Sequence, residues 1–177
     1  MLQVEQFIRF LSRALALVAG VCLVLMMVHV VSDVAAKYLF NNPIESTLEI
    51  VSAYYMVAVV FLPLSIAEIR REHIYVDMFV RHLSLKPRIV VYVATGILTA
   101  FFYGLLAYET GDEAVHAYKI NEIMMGTSYV VVWPGRWFLP IGFGAIALAN
   151  LLHIAQAMLQ PQRFAEAVIA QDVSSVD

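Results

Sequence analysis

The chain reads as an all-α integral membrane protein with four transmembrane helices, both termini cytoplasmic, and short amphipathic helices at the interface. Three observations predict this. Of 177 residues, 62% are hydrophobic and 14% charged, whereas a soluble domain carries about 25% charged residues. Four apolar stretches, at about 11–32, 48–67, 89–108 and 129–155, reach the ~20 residues that a helix needs to cross a bilayer. The basic residues also divide unequally between the two sides that these stretches define.

The first stretch follows Arg9 and Arg13, as a secretory signal would. Its apolar run exceeds the roughly 7–15 residues of a signal core, and no small-residue cleavage site follows. It is therefore read as a retained helix. Its pattern continues past Ser32, where Asp33 and Lys37 stand four apart with the acid first, the favourable order for a helical ion pair.

Asn41-Asn42-Pro43 breaks that helix. The next start is ambiguous. Asn42-Pro43-Ile44-Glu45 offers a capping Asn with Pro at the first helical position, and Ser46-Thr47-Leu48-Glu49 offers a capping box. In either case Glu49 falls near the level of Lys37. Asp33, Lys37 and Glu49 thus form a structural ion network at the membrane boundary or, on the sharper reading, an ion or proton site. Pro63 lies within the second stretch, where it removes a backbone donor and bends the helix.

Between the second and third stretches, Ile74, Tyr75, Met78, Phe79 and Leu83 recur at helical spacing. A short helix in the interface plane is expected there. Arg71, Arg81, Lys86 and Arg88 then either contact anionic lipid headgroups or simply fix topology. The third connection is acidic, with Asp112, Glu113 and Glu122, and has a partly apolar helical face. It is a solvated surface or a docking site for an extramembrane partner. Trp133, Arg136 and Trp137 mark the interface at the start of the fourth stretch.

Orientation follows from charge. Arg9, Arg13, Arg70, Arg71, Arg81, Lys86, Arg88 and Arg163 share one side, against Lys37, Lys119 and Arg136 on the other. The richer side is cytoplasmic by the positive-inside rule. No second domain, repeat or long linker interrupts the chain, so 1–177 is read as one membrane domain.

The sequence holds no P-loop, GxSxG, HExxH, CxxC or EF-hand pattern. No catalytic residue, cofactor or metal is expected. A net charge of −3 gives no basic field for nucleic acid. The single cysteine, Cys22, excludes an internal disulfide framework. A haem or quinone membrane anchor of an oxidoreductase is the alternative class. However, the topology puts His29 near the outer end of its span and His153 near the inner end of its own, in opposite leaflets, so a shared haem is not expected.

Three motifs carry a resemblance. The first is Lys37-Tyr38-Leu39-Phe40-Asn41-Asn42-Pro43-Ile44 followed by Thr47 and Glu49. The second is Arg70-Arg71-Glu72-His73-Ile74-Tyr75-Val76-Asp77. The third is Trp133 followed by Pro140-Ile141-Gly142. In this order they resemble the small membrane subunit (DctQ-like) of tripartite ATP-independent periplasmic (TRAP) transporters. The chain departs from the family pattern at Lys37, where Arg is usual, at Ser46, where Trp is common, and at Val131, where Pro often stands.

The resemblance implies a scaffold subunit of a bacterial inner-membrane symporter. Such a subunit pairs with a large transport subunit for sodium-coupled uptake of an organic acid, which a periplasmic solute-binding protein delivers. Membrane lipids are the remaining expected partner.

Overall fold

The computed structural model describes residues 2–70, 85–125 and 129–159. They are almost entirely helical, and four helices are long and apolar enough to cross a membrane: Glu5–Phe40, Thr47–Ile69, Val90–Lys119 and Trp133–Leu159. In lipid only helices and closed barrels satisfy every backbone group, so this is the arrangement the composition demands.

Helix α1 runs Leu2–Phe40 without a break. At 1.5 Å per residue it is about 58 Å long, well beyond a ~30 Å hydrocarbon core. It therefore protrudes, as the Asp33–Lys37 pattern predicts. Asn41 ends it in the left-handed conformation (φ 50°), which Asn tolerates better than most residues.

The second span is composite. It consists of α2 (Thr47–Ile50), a π-helical stretch (Val51–Met56), α3 (Val57–Phe61) and α4 (Leu64–Arg70). The start is at Thr47, but not by the capping box that the sequence offers. Ser46 sits at φ 60° and its side chain makes no capping hydrogen bond. A capping side chain reaches forward from a β-region backbone, and a left-handed Ser46 aims elsewhere. Nor does Asn42-Pro43 start the helix. Pro63 divides α3 from α4, and the amides of Ile66 and Ala67 turn back onto its carbonyl.

The interfacial helix expected between the second and third spans, with Arg71, His73, Asp77 and Arg81, lies outside the described residues. Helix α5 runs Leu85–Lys119, so Lys86 and Arg88 belong to its first turns and not to a connection. Pro87 falls in that first turn, where its missing N–H costs nothing. The helix is about 52 Å long, so the acidic segment is largely its extension beyond the bilayer. It closes in a Schellman turn: Asn121 is left-handed (φ 49°), and the Glu122 and Asn121 amides bond the carbonyls of Ala117 and Tyr118.

A hairpin follows that the sequence reading did not anticipate. β1 (Ile123–Met125) pairs antiparallel with β2 (Tyr129–Val131), with Ile123 opposite Val131. The fourth span therefore begins at α6 (Trp133–Arg136) and α7 (Phe138–Leu159), not at Tyr129.

The fourth span is the innermost. In its most apolar stretch 44% of residues are buried, against 6%, 17% and 0% in the first three. It runs parallel to the second span, with Gly135 against Ala53, Gly142 against Phe61 and His153 against Glu68. The third span lies antiparallel on it through Gly96 to Ile154, Tyr103 to Phe143 and Tyr118 to Trp133. The first lies antiparallel on the second through Ala19, Ala58 and Leu62.

A Cβ at Gly135 would collide with the carbonyl oxygen of Ala53, and one at Gly142 with that of Phe61. Both obstacles are backbone and cannot swing aside. Gly20 and Gly104 face open space. Gly135→Ala and Gly142→Ala are each expected to destabilise the chain by about 1–3 kcal/mol, the range for overpacking, while Gly20→Ala and Gly104→Ala leave it unchanged. Melting midpoints of the four variants in one detergent check this, and equal midpoints would refute it.

Candidate functional site: the hairpin end of the bundle

The sequence motifs converge at the end of the bundle that carries the 41–46 connection and the hairpin. There the first connection is folded back on itself. The Asp33 carboxylate accepts the Ile44 amide at 2.7 Å, and the Thr47 hydroxyl donates to the Ile44 carbonyl at 3.1 Å. Pro43 precedes the tethered residue. Asp33, Pro43 and Thr47 thus act together as a clasp across the connection. Lys37 occupies the last turn of α1 and Glu49 the first turn of α2. This bond gives Asp33 a loop-closing role beside any ion network.

Tyr38 and Phe40 do the opposite of what aromatic motif residues in a core would do. They are 83% and 77% exposed, together with Leu39 and Leu48. They form an apolar brim on the bundle that nothing among the described residues covers.

The hairpin side is held by Arg136. Its guanidinium pairs with Glu122 through Nη2 and approaches Glu113 at 3.6 Å through Nη1. The Schellman turn at Asn121 places Glu122 at this point, and the Val132 amide bonds the Glu122 carbonyl to close the hairpin base. Glu122 Oε2 and Arg136 Nε are buried without a hydrogen-bond partner among the described residues. Of the three acids expected to form a docking face, Glu113 and Glu122 therefore face Arg136, and Asp112 is exposed.

Trp133 meets Tyr118 edge-on, with ring centroids 5.0 Å apart. Pro140 lies beside Gly111 of the third span, and Gly142 rests on Phe61. These motif residues serve helix packing. The Tyr54 hydroxyl donates to the Val131 carbonyl and ties the π-helical stretch to the hairpin. The sequence reading missed Gly135, Tyr54 and the Arg136 cluster. The signal available was a Trp-Pro-Gly-Arg run at a span start. The backbone of Arg70 is described but not its side chain, and Arg71, His73, Asp77 and Arg81 lie outside the described residues.

His29 stands edge-on to Tyr55 at 5.9 Å, in the half of the first span nearer the hairpin end. His153 Nε2 lies 3.2 Å from the Glu68 carbonyl, in the opposite half of the fourth. Among the described residues no group of three or more His, Cys, Asp or Glu is placed to hold a metal ion.

Taken together, four membrane-length helices packed as one bundle and a clasped connection define a multi-pass membrane protein. The family of tripartite ATP-independent periplasmic transporters, DctQ component, matches residues 26–160. The chain belongs to the DctQ family, the small membrane component of TRAP transporters. Neither the curated proteins nor the solved structures give a significant match to it. The family is a transporter component and does not favour a haem or quinone anchor.

Arg136 ties the start of the fourth span to the end of the third and to the turn that closes it, whereas Arg9 pairs with Glu5 within its own helix. The Arg9 pair is worth about 0.3–0.5 kcal/mol. Arg136→Ala is expected to cost about 1–3 kcal/mol, the range for a charged hydrogen bond after allowance for its one-third exposure. Chemical unfolding of the two variants side by side measures the difference. An Arg136→Ala loss no larger than that of Arg9→Ala would refute the role.

Proposed function

We propose that this chain is the scaffold subunit of a sodium-coupled organic-acid TRAP transporter in a bacterial inner membrane. It pairs with the large transport subunit, and a periplasmic binding protein docks from outside. The family match carries this reading. The geometry supports it, because the described residues supply packing surfaces and bury few polar side chains. The exposed brim of Tyr38, Leu39, Phe40 and Leu48 suits contact with a partner helix at the membrane boundary.

The test is co-purification in mild detergent. The large subunit is expected at about one copy per copy of this chain. Tyr38→Ala with Phe40→Ala, and Lys37→Ala or Glu49→Ala, are expected to lower its recovery, whereas Arg163→Ala does not. Recovery of this chain alone, or with a flavoprotein or iron–sulfur protein, would overturn the assignment.

On the positive-inside rule we assign both termini to the cytoplasm and the hairpin end to the periplasm. Asp112 is then exposed on the periplasmic side, free for a binding protein. A single cysteine at Asp112, in a Cys22→Ser background, is expected to react with a membrane-impermeant thiol reagent in whole cells. That modification is expected to slow binding-protein-dependent uptake. No labelling until the membrane is opened would invert the topology. Labelling without loss of uptake would remove Asp112 from the docking surface.

A further inference from the structure

Buried polar side chains are few among the described residues, and their distribution is uneven. They are Ser12, Ser46, Thr47, Ser65, Asn150 and His153. Ser46 and Thr47 belong to the clasped connection. The other four gather in the opposite third of the bundle, near the end that carries the N-terminus, on three different helices.

Helix register brings them together. Ala19 of the first span packs on Ala58 and Leu62 of the second, and the two helices are antiparallel. Seven residues toward the N-terminus from Ala19 is Ser12. Seven residues toward the C-terminus from Ala58 is Ser65. Leu15 also packs on this cluster. Ser12 lies one turn beyond Leu15, and Ser65 lies three residues beyond Leu62, across the break at Pro63, so the two serines fall near one level at the same end of this contact. The fourth span closes the third side. Between its contacts at Gly142 with Phe61 and at His153 with Glu68 lies Asn150, and between the same contacts on the second span lies Ser65.

Both serine hydroxyls are enclosed, Ser12 at 1% exposure and Ser65 at 0%. Neither has a hydrogen-bond partner among the described residues. A mid-helix serine ordinarily bonds the carbonyl one turn back, as Thr95 does with Val91 and Thr110 with Leu106. Ser12 and Ser65 do not, and they do not bond each other. Leaving a hydroxyl unpaired in an apolar surround is costly, and here there are two, near one level, with His153 of the fourth span set against the same stretch of the second; the Asn150 side chain lies against Gly96 of the third span instead. The imidazole is oriented: a carbonyl can only accept, so His153 Nε2 donates to Glu68.

The geometry points to a built water site in this layer, in which internal water bridges the hydroxyls of Ser12 and Ser65 on the side of His153. Water has the two donors and two acceptors that the layer lacks, and polar cavities of this kind hold water while apolar ones stay dry. The site is a polar joint between the first, second and fourth spans. It is independent of the subunit assignment.

Water-edited solid-state NMR of the full chain in lipid bilayers tests it. Magnetisation starting on water is expected to reach the Ser12 and Ser65 side chains early, and Ala19 and Ala58, two turns away, late. Ser65→Ala is expected to slow the transfer to Ser12 as well, because the same water serves both. In melting measurements, Ser12→Ala and Ser65→Ala each lower the midpoint, and the double variant falls no further than the worse single. Serines as dry as Ala58 would overturn the site. So would a Ser12 signal untouched by Ser65→Ala, which would show each hydroxyl bonded within its own helix.

Discussion

The fold depends on the close approach of the fourth span to the second. In lipid the solvent is as apolar as the side chains, so burying leucine against leucine gains little, and packing must come from close backbone contact and polar bonds. Gly135 and Gly142 supply that contact. Seven residues apart, they share one face, and each places the fourth helix directly on a main-chain carbonyl of the second. This makes the fourth span the innermost helix and fixes the level of everything along it. The Arg136 cluster lies one residue from Gly135, and the Asn150–His153 ridge follows about two turns after Gly142.

Polar bonds then fix the ends of the bundle, where water reaches and their directionality matters. Three left-handed residues, Asn41, Ser46 and Asn121, turn the chain at this level. The first two frame a connection that Asp33 and Thr47 clasp. The third ends the third span so that Glu122 reaches Arg136. The π-helical stretch belongs to the same construction, since it carries both Ala53, under Gly135, and Tyr54, which bonds Val131. π-Helical turns are rare and tend to occur where a function demands them. Here the stretch is tied to helix docking and to the hairpin.

What the sequence revealed follows from the range of each interaction. The four spans were legible because hydropathy is a property of long stretches. The protrusion of α1 was legible because Asp33 and Lys37 keep helical spacing beyond Ser32. The start of the second span was half legible: local capping chemistry named Ser46 as a candidate, but the clasp from Asp33 to Ile44 imposed a left-handed Ser46 and cancelled the cap. The hairpin was hidden because Tyr129-Val130-Val131 are as apolar as the helix they precede, and pairing with Ile123–Met125 is a contact between segments. The motif residues Pro140 and Gly142 were visible as a pattern, but their reason, an adjacent Gly111 and a carbonyl at Phe61, exists only in three dimensions.

The first and third spans lie at the edges of this arrangement, and their most apolar stretches are 6% and 0% buried. A self-contained transporter would enclose a polar route, with ionisable groups facing an inner cavity. This chain encloses alanines, glycines and a small polar layer, and it turns its large apolar side chains outward. The order is the reverse of a soluble core. It suits a component whose contribution is made at its perimeter, against lipid and against neighbouring helices. On that ground the architecture favours the proposed scaffold role over transport by the chain alone: the fixed features, from the glycine contacts to the clasped connection, stabilise a shape and leave its faces open.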